Sequence, residues 1–286
     1  ARYRDYRSAV DAATKRDDPL LDLGKAIAEA QQASVRVKEG EYAKVEVPAA
    51  QISGKQGYDY LHALFYARHR GLVRRPLYRR FAILAGLAAA AAVVVLAAGD
   101  TVSSFIAENA GTAVRYMVFA MLTLSLGEQL CRALFYHCDI HLMRYSFFRK
   151  DAPVHYRSRL FRLIGYNLGI AAALAAGLTL VFRLAGGVPG ALFAQLWVLA
   201  AALAVFFAVH HMAMYYLFQP YSTEMNAKNP LYFVVSMAVS GACGASLFLR
   251  IPPGALAWIV GVLALVYAAA SFVLVRKFAA RTFRVK

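Results

Sequence analysis

The chain has 286 residues with 32 Lys or Arg against 16 Asp or Glu, a net charge of +16, yet 60% of it is hydrophobic and its mean hydropathy is +0.48. Several apolar runs reach the roughly 20 residues that a helix needs to cross a hydrocarbon core of about 30 Å, which excludes a soluble nucleic-acid binder as the source of the charge. Three cysteines, Cys131, Cys138 and Cys243, are too few and too scattered for a disulfide framework. The composition describes an all-α, polytopic integral membrane protein.

Residues 1–80 read as a cytoplasmic extension followed by an interfacial helix. No signal-peptide pattern opens the chain, because the first eighty residues hold sixteen Lys or Arg and no apolar core of the required length. Within the extension, residues 3–16 and 20–32 read as short helices, the second behind Asp17-Asp18-Pro19, which supplies a cap and a favourable first-turn proline. Val35/Val37 and Val45/Val47 alternate around Lys38-Glu39-Gly40-Glu41 and predict a hairpin. From Tyr58, aromatics alternate with Arg68, Arg70, Arg74, Arg75, Arg79 and Arg80, the pattern of an interfacial helix with a stop of cations before the first span.

Residues 81–275 read as a six-span transmembrane domain, with spans at 81–99, 112–127, 164–185, 190–217, 231–249 and 255–275. Residues 276–286 form a basic tail. An even number of spans puts both termini on one side. Of the 32 cations, 29 then fall on that side: sixteen in the leader, seven in the loop 128–163, one in 219–230 and five in the tail. Only Arg115, Arg183 and Arg250 fall at outer ends, and the positive-inside rule places both termini in the cytoplasm. Small residues recur inside the spans, among them Gly165, Gly169, Gly177, Gly241 and Gly244, a spacing that lets helix backbones approach closely in lipid. Arg115 and Glu128 fall near span ends, where they can snorkel, and Gln195 faces a cavity or a neighbouring helix.

The loop 128–163 is basic and aromatic. Leu130, Leu134, Ile140, Met143 and Phe147 recur at helical spacing with Arg132, His137, Asp139, Arg144 and Arg149 between them, which predicts an amphipathic helix. Pro153 disfavours a helical Ala152, and Arg157, Arg159 and Arg162 begin a second basic helix. The segment reads as helix, break, helix. It serves either as an interfacial linker holding anionic lipid or as a docking surface.

The run CDIHLMRYSFFRK at 138–150, with Arg159-Leu160 and Asn167 behind it, resembles the corresponding loop of the bacterial putative ABC exporter family. The run YYLFQPYSTEMNAKNPLY at 215–232 is similar to that family's signature after the fourth span of a six-span half. A third, weaker match joins DYRSAVDAATKR at 5–16 and FYARHRGLVRR at 65–75. The family carries two six-span halves, and this chain resembles a C-terminal half. The resemblance implies a permease of the bacterial inner membrane that binds an ABC ATPase subunit and a second six-span half. Mg-ATP would be bound on the partner ATPase, with no cofactor or catalytic residue in this chain, no bound metal and no nucleic acid. The coupling helix it implies is built from Asp139, Met143, Arg144, Tyr145, Phe147, Phe148, Arg149 and Lys150. Its protruding aromatics would dock within a ring of charges. Gln219, Pro220, Tyr221, Glu224 and Lys228 form a second cytoplasmic loop that either touches the same partner or is a rigid turn.

No GxxxxGK[ST] motif occurs, and Ser53-Gly54-Lys55-Gln56-Gly57 lacks both the upstream glycine and the hydroxyl for Mg²⁺. His210 and His211 point about 100° apart on a helix and cannot grip one ion as an i, i+4 pair does. They are expected near the inner interface, one toward the bundle and one toward headgroups. Two rival readings stand beside the permease: a polytopic membrane enzyme using His210, His211 and Glu224, and a scaffold recruiting cytoplasmic proteins through the basic loop. The charge count generates a topology test. A cysteine placed at Glu108 is expected to react with a membrane-impermeant maleimide added from outside, and protection there would contradict the six-span arrangement.

Overall fold

The computed structural model describes residues 53–221 and 230–284, together with the isolated positions Glu29 and Ala33. The expected leader helices, the hairpin, Glu224, Lys228 and the end of the tail lie outside the described residues. Among the described residues the chain is helical without strands, and six helices are long and apolar enough to cross a membrane.

The chain begins with α1 (Gly57–Arg68) and α2 (Arg70–Ala98). The break between them falls at His69, so the cations from Arg70 to Arg80 form the opening turns of the first spanning helix. The expected single interfacial helix from Tyr58 is therefore two elements. Helix α3 (Asp100–Leu124) follows after Gly99 alone, which turns the chain at φ 66°. The outer loop expected over 100–111 is helical instead. Thr101, Ser103 and Ser104 suggest a loop by composition, but no proline interrupts them, and the Ser104 hydroxyl donates to the Thr101 carbonyl as helical serines do. Arg115 consequently lies in the middle of α3 rather than at a span end, and it donates to the Thr112 hydroxyl at 2.7 Å.

Next come α4 (Gly127–Leu134), a π-helical turn (Phe135–Asp139), one turn at Ile140–Leu142 and α5 (Ser146–Lys150). The remaining long helices are α6 (Ala152–Ala185), α7 (Gly190–Phe218), α8 (Pro230–Phe248) and α9 (Pro253–Thr282). With 34 residues α6 is about 50 Å long, so roughly 20 Å of it extends past a hydrocarbon core. That extension is its arginine-bearing start.

Helix α7 is the centre of the bundle. It packs most extensively on α9, then on α6, and α6 in turn lies against α2. Its interior face, including Leu196, Leu199, Ala204, Phe207 and Met212, is fully buried. Helix α8 sits at the rim, attached chiefly to α3 and barely to α7. Small residues act where helices meet. A Cβ added at Gly177 would lie 3.1 Å from the Ala88 Cβ, and one at Gly169 3.5 Å from the Phe81 ring, so the α6–α2 approach uses both glycines. A Cβ added at Gly165, Gly241 or Gly244 would meet no other helix within 4 Å. Gln195 packs on Gly254, where an added Cβ would come within 3.0 Å of its amide nitrogen, which makes it a helix–helix contact. Gly177→Leu should therefore force α2 from α6 at about 1–3 kcal/mol, while Gly244→Leu should stay within about 0.5 kcal/mol. Thermal unfolding in detergent checks this, and equal losses would contradict the packing.

Candidate functional site

The loop between α3 and α6 is a compact elbow rather than a continuous amphipathic helix. Helix α3 stops where Ser125 turns extended, and Asn167 of α6, wholly buried, takes over the freed groups. Its amide oxygen accepts from the Leu126 N–H at 3.0 Å, and its nitrogen donates to the Ser125 hydroxyl at 3.0 Å and the Ala204 carbonyl at 3.4 Å. Arg80 reaches the same joint from α2, donating to the Ser125 carbonyl at 3.4 Å and to the Gln129 side chain at 3.5 Å.

The π-helical turn then carries Asp139 into the protein, where it is completely buried. Arg159 of α6 meets it with both guanidinium ends, at 2.5 Å and 2.7 Å. Tyr215 of α7 donates to the same carboxylate at 2.6 Å, and Arg159 also donates to the Tyr216 hydroxyl at 3.0 Å. A bidentate guanidinium with two phenols supplies the directional partners that a carboxylate needs when water is removed. Asp139 is therefore an internal lock, not a surface charge of a docking helix.

After the lock the chain turns back. Met143 is buried and accepts a 3.4 Å contact from the amide of Gln219. Gln219 is the one described non-glycine residue with positive φ, 43°, and it closes α7 in a left-handed conformation. Tyr145 is extended and α5 begins behind it, which sets consecutive side chains about 100° apart. Phe148 consequently points inward at 0% exposure, against His155 at 4.3 Å, Tyr58 at 6.2 Å and Phe283 at 6.3 Å between ring centroids. Phe147 points outward at 56% exposure and stacks on Tyr145, 55% exposed, at 5.6 Å. The apolar stripe predicted through Phe147 is one residue out of phase, because the π-helical turn and the reversal at Met143–Tyr145 reset the helical register. Of the expected docking residues, Asp139, Met143 and Phe148 are thus interior. Tyr145 and Phe147 protrude, with Arg144 and Lys150 exposed beside them and Arg149 half-buried.

Helix α1 is clamped onto this elbow. The Tyr58 hydroxyl donates to Asp151 at 2.7 Å, and burial followed by that carboxylate pushes Tyr58 up to about 12. His62 meets His155 at 3.2 Å between ring nitrogens. Burial, with the Arg159 guanidinium adding to it, pulls His62 down to about 4, so the ring is neutral at neutral pH and the two imidazoles share a single hydrogen.

The second loop closes the elbow from the α7 side. Tyr221 is buried, packs on Phe135 at 5.6 Å and donates to the Glu128 carbonyl at 3.2 Å. Gln219 leads the chain out of α7 at φ 43°, and Tyr221 is buried rather than exposed. His210 is buried and lies 3.2 Å from the Tyr267 hydroxyl, and His211, partly exposed, lies over Gly127. Among the described residues no group of three His, Cys, Asp or Glu could hold a metal ion.

Sequence reading missed the lock itself. Arg159 follows Asp139 by twenty residues, beyond any local periodicity, and passes for one cation among seven in that loop. The available signal was Asp139, the sole carboxylate between Glu128 and Asp151. Asp139→Ala or Arg159→Met should each cost about 3–5 kcal/mol, because each strands a buried charge. The double variant Asp139→Leu/Arg159→Met should cost clearly less than the sum, as measured by a double-mutant cycle on thermal unfolding in detergent; strict additivity would mean the groups are not coupled. No protein-family model, curated protein or solved structure matches the chain, so its function is to be read from the geometry of this elbow.

Proposed function

We propose that the chain is the membrane-spanning permease subunit, or one half, of an ATP-driven exporter in a bacterial inner membrane, with both termini cytoplasmic. In this reading a separate ABC ATPase binds the elbow and hydrolyses Mg-ATP, and a second six-span half completes the pathway. The observation that carries the reading is the stacked pair Tyr145 and Phe147, exposed beside Arg144 and Lys150 on a turn whose interior is locked to α6 and α7. Aromatic side chains held out of a rigid support are what a partner's pocket grips, whereas a lipid linker needs only cations. Force applied at Phe147 would reach Asp139 through fewer than ten residues of backbone-bonded turns, and from there two long helices at once.

Tyr145→Ala/Phe147→Ala should weaken ATPase association by about 2 kcal/mol or more per anchor and abolish transport-coupled hydrolysis in the purified complex, with the permease still folded. Arg144→Ala should have a smaller effect that shrinks in high salt. Phe148→Ala should behave differently, lowering thermal stability by about 3–5 kcal/mol through the cavity it leaves. Normal ATPase binding by the Tyr145→Ala/Phe147→Ala protein would overturn the docking reading and favour the lipid-anchoring one.

A further inference from the structure

Helices α2 and α6 run in the same direction and meet along one seam, where Phe81 lies against Gly169 and Ala88 against Gly177. Seven residues before Phe81 and before Gly169, nearly two full turns, the same faces carry Arg74 and Arg162. The seam therefore ends, at the basic end of the bundle, in two opposed arginines. The Arg162 guanidinium lies over the ring of Tyr66 from α1, 4.0 Å from its centroid, and Tyr66 is buried. Arg74 is exposed. Tyr166, one turn after Arg162, is within electrostatic reach of both guanidiniums. Neither arginine makes a hydrogen bond or ion pair with a described residue.

Like charges opposed across a helix contact repel, and the cation–π contact offsets that for Arg162 alone. Of the four carboxylates at this end among the described residues, Asp139 is bound to Arg159, Asp151 to Tyr58 and Glu128 to Arg132. The fourth, Asp59, lies two turns from Tyr66 along α1. Residues 1–52 hold nine Lys or Arg and nine Asp or Glu, and 222–229 one of each, so neither segment adds a surplus of negative charge. The depth of the pair selects the anion that fits it. Arg162 precedes Ile164, the first residue of the span at 164–185, by two positions, about 3 Å of helix. A bilayer exceeds its hydrocarbon core by about 5–8 Å on each side, so both guanidiniums fall in the layer of lipid headgroups. Tyr78 and Tyr166, each one turn further in, stand at the boundary as interfacial tyrosines do. Two guanidiniums present paired donors to one phosphate, which point-like ammonium groups do not. A zwitterionic headgroup would bring its own cation to a site that already has two, so the fit is to a headgroup of net negative charge.

We propose that the α2–α6 seam holds one anionic phospholipid, its phosphodiester bridging Arg74 and Arg162 and accepting from the Tyr166 hydroxyl. The inference stands without the exporter reading and uses none of the elbow's exposed residues. The test is native mass spectrometry of the purified full chain, released from detergent micelles containing dioleoylphosphatidylglycerol or dioleoylphosphatidylcholine, with and without millimolar inorganic phosphate. The expected result is one phosphatidylglycerol retained per chain, at tenfold or more the occupancy of phosphatidylcholine, and not displaced by inorganic phosphate. Arg74→Glu places a carboxylate where the phosphate would sit and should lower that occupancy tenfold or more. Arg79→Glu makes the same charge change at an exposed position about 140° round the helix from Arg74 and should leave occupancy within twofold. Both variants should keep the parent's melting temperature; if Arg74→Glu does not, Arg74→Gln carries the test with the same expected loss. No retained phosphatidylglycerol, equal retention of phosphatidylcholine, or displacement by inorganic phosphate would overturn the proposal. So would an Arg74 variant that binds as the parent does, or equal losses in the Arg74→Glu and Arg79→Glu proteins, which would mark a general attraction to cations rather than a site.

Discussion

The contact on which the architecture depends is the bidentate ion pair of Asp139 and Arg159, with Tyr215 on the carboxylate and Tyr216 on the guanidinium. It ties the elbow, α6 and α7 at one point, and every partner is buried. An ion pair out of water gains little net stability, since desolvation offsets most of the attraction. What it provides is discrimination among arrangements. A one-residue slip of the π-helical turn would strand a carboxylate or a guanidinium in an apolar core, a loss of several kcal/mol, whereas apolar contacts tolerate such slips cheaply. The register of a short, irregular segment is thereby fixed by a long-range polar constraint.

From that point the elbow extends to the remaining elements. Phe148 fills the space between His155, Tyr58 and Phe283, so α1 and the end of α9 both close over α5. Phe283 also stacks on Tyr216 at 4.4 Å, and the Thr282 hydroxyl donates to the Tyr216 carbonyl at 3.1 Å, which returns the chain's end to the residues around Arg159. Tyr156 and Ser271 add a buried hydroxyl pair at 2.7 Å between α6 and α9. Polar and aromatic contacts therefore concentrate at the basic end of the bundle, while the spans themselves meet through apolar and small residues.

How much of this was legible depends on the range of the signal. Hydropathy over twenty residues located all six spans, and the fourth, expected at 190–217, is helix Gly190–Phe218. The stretch 100–111, which hydropathy assigns to a loop between the first two spans, is helical after a single glycine, because its polar residues do not interrupt the helix. The break before Pro153 was readable only to within a residue: Ala152, which the proline was expected to keep out of a helix, is the first residue of α6, because a proline is tolerated in a helix's first turn, and the break falls at Asp151. Which of Phe147 and Phe148 faces inward was not readable, because a π-helical turn adds a residue to the register and no local composition announces it. The partner of Asp139 was hidden for a simpler reason: seven cations in the loop were equivalent candidates, and only the folded geometry distinguishes Arg159.

The bundle is unevenly fastened. Helices α6, α7 and α9 share the most extensive packing, and the elbow is tied to α6 and α7 by hydrogen bonds that strengthen as water is excluded. Helix α8 has almost no hold on α7 and exposes Leu231, Phe233, Val234 and Met237. The line between α7 and α8 is thus loosely packed beside the α6–α7–α9 block. A cavity of about 260 Å³, lined by His211 on one side and Tyr232 on the other, lies on that line, where the scarce contact between the two helices leaves space unfilled.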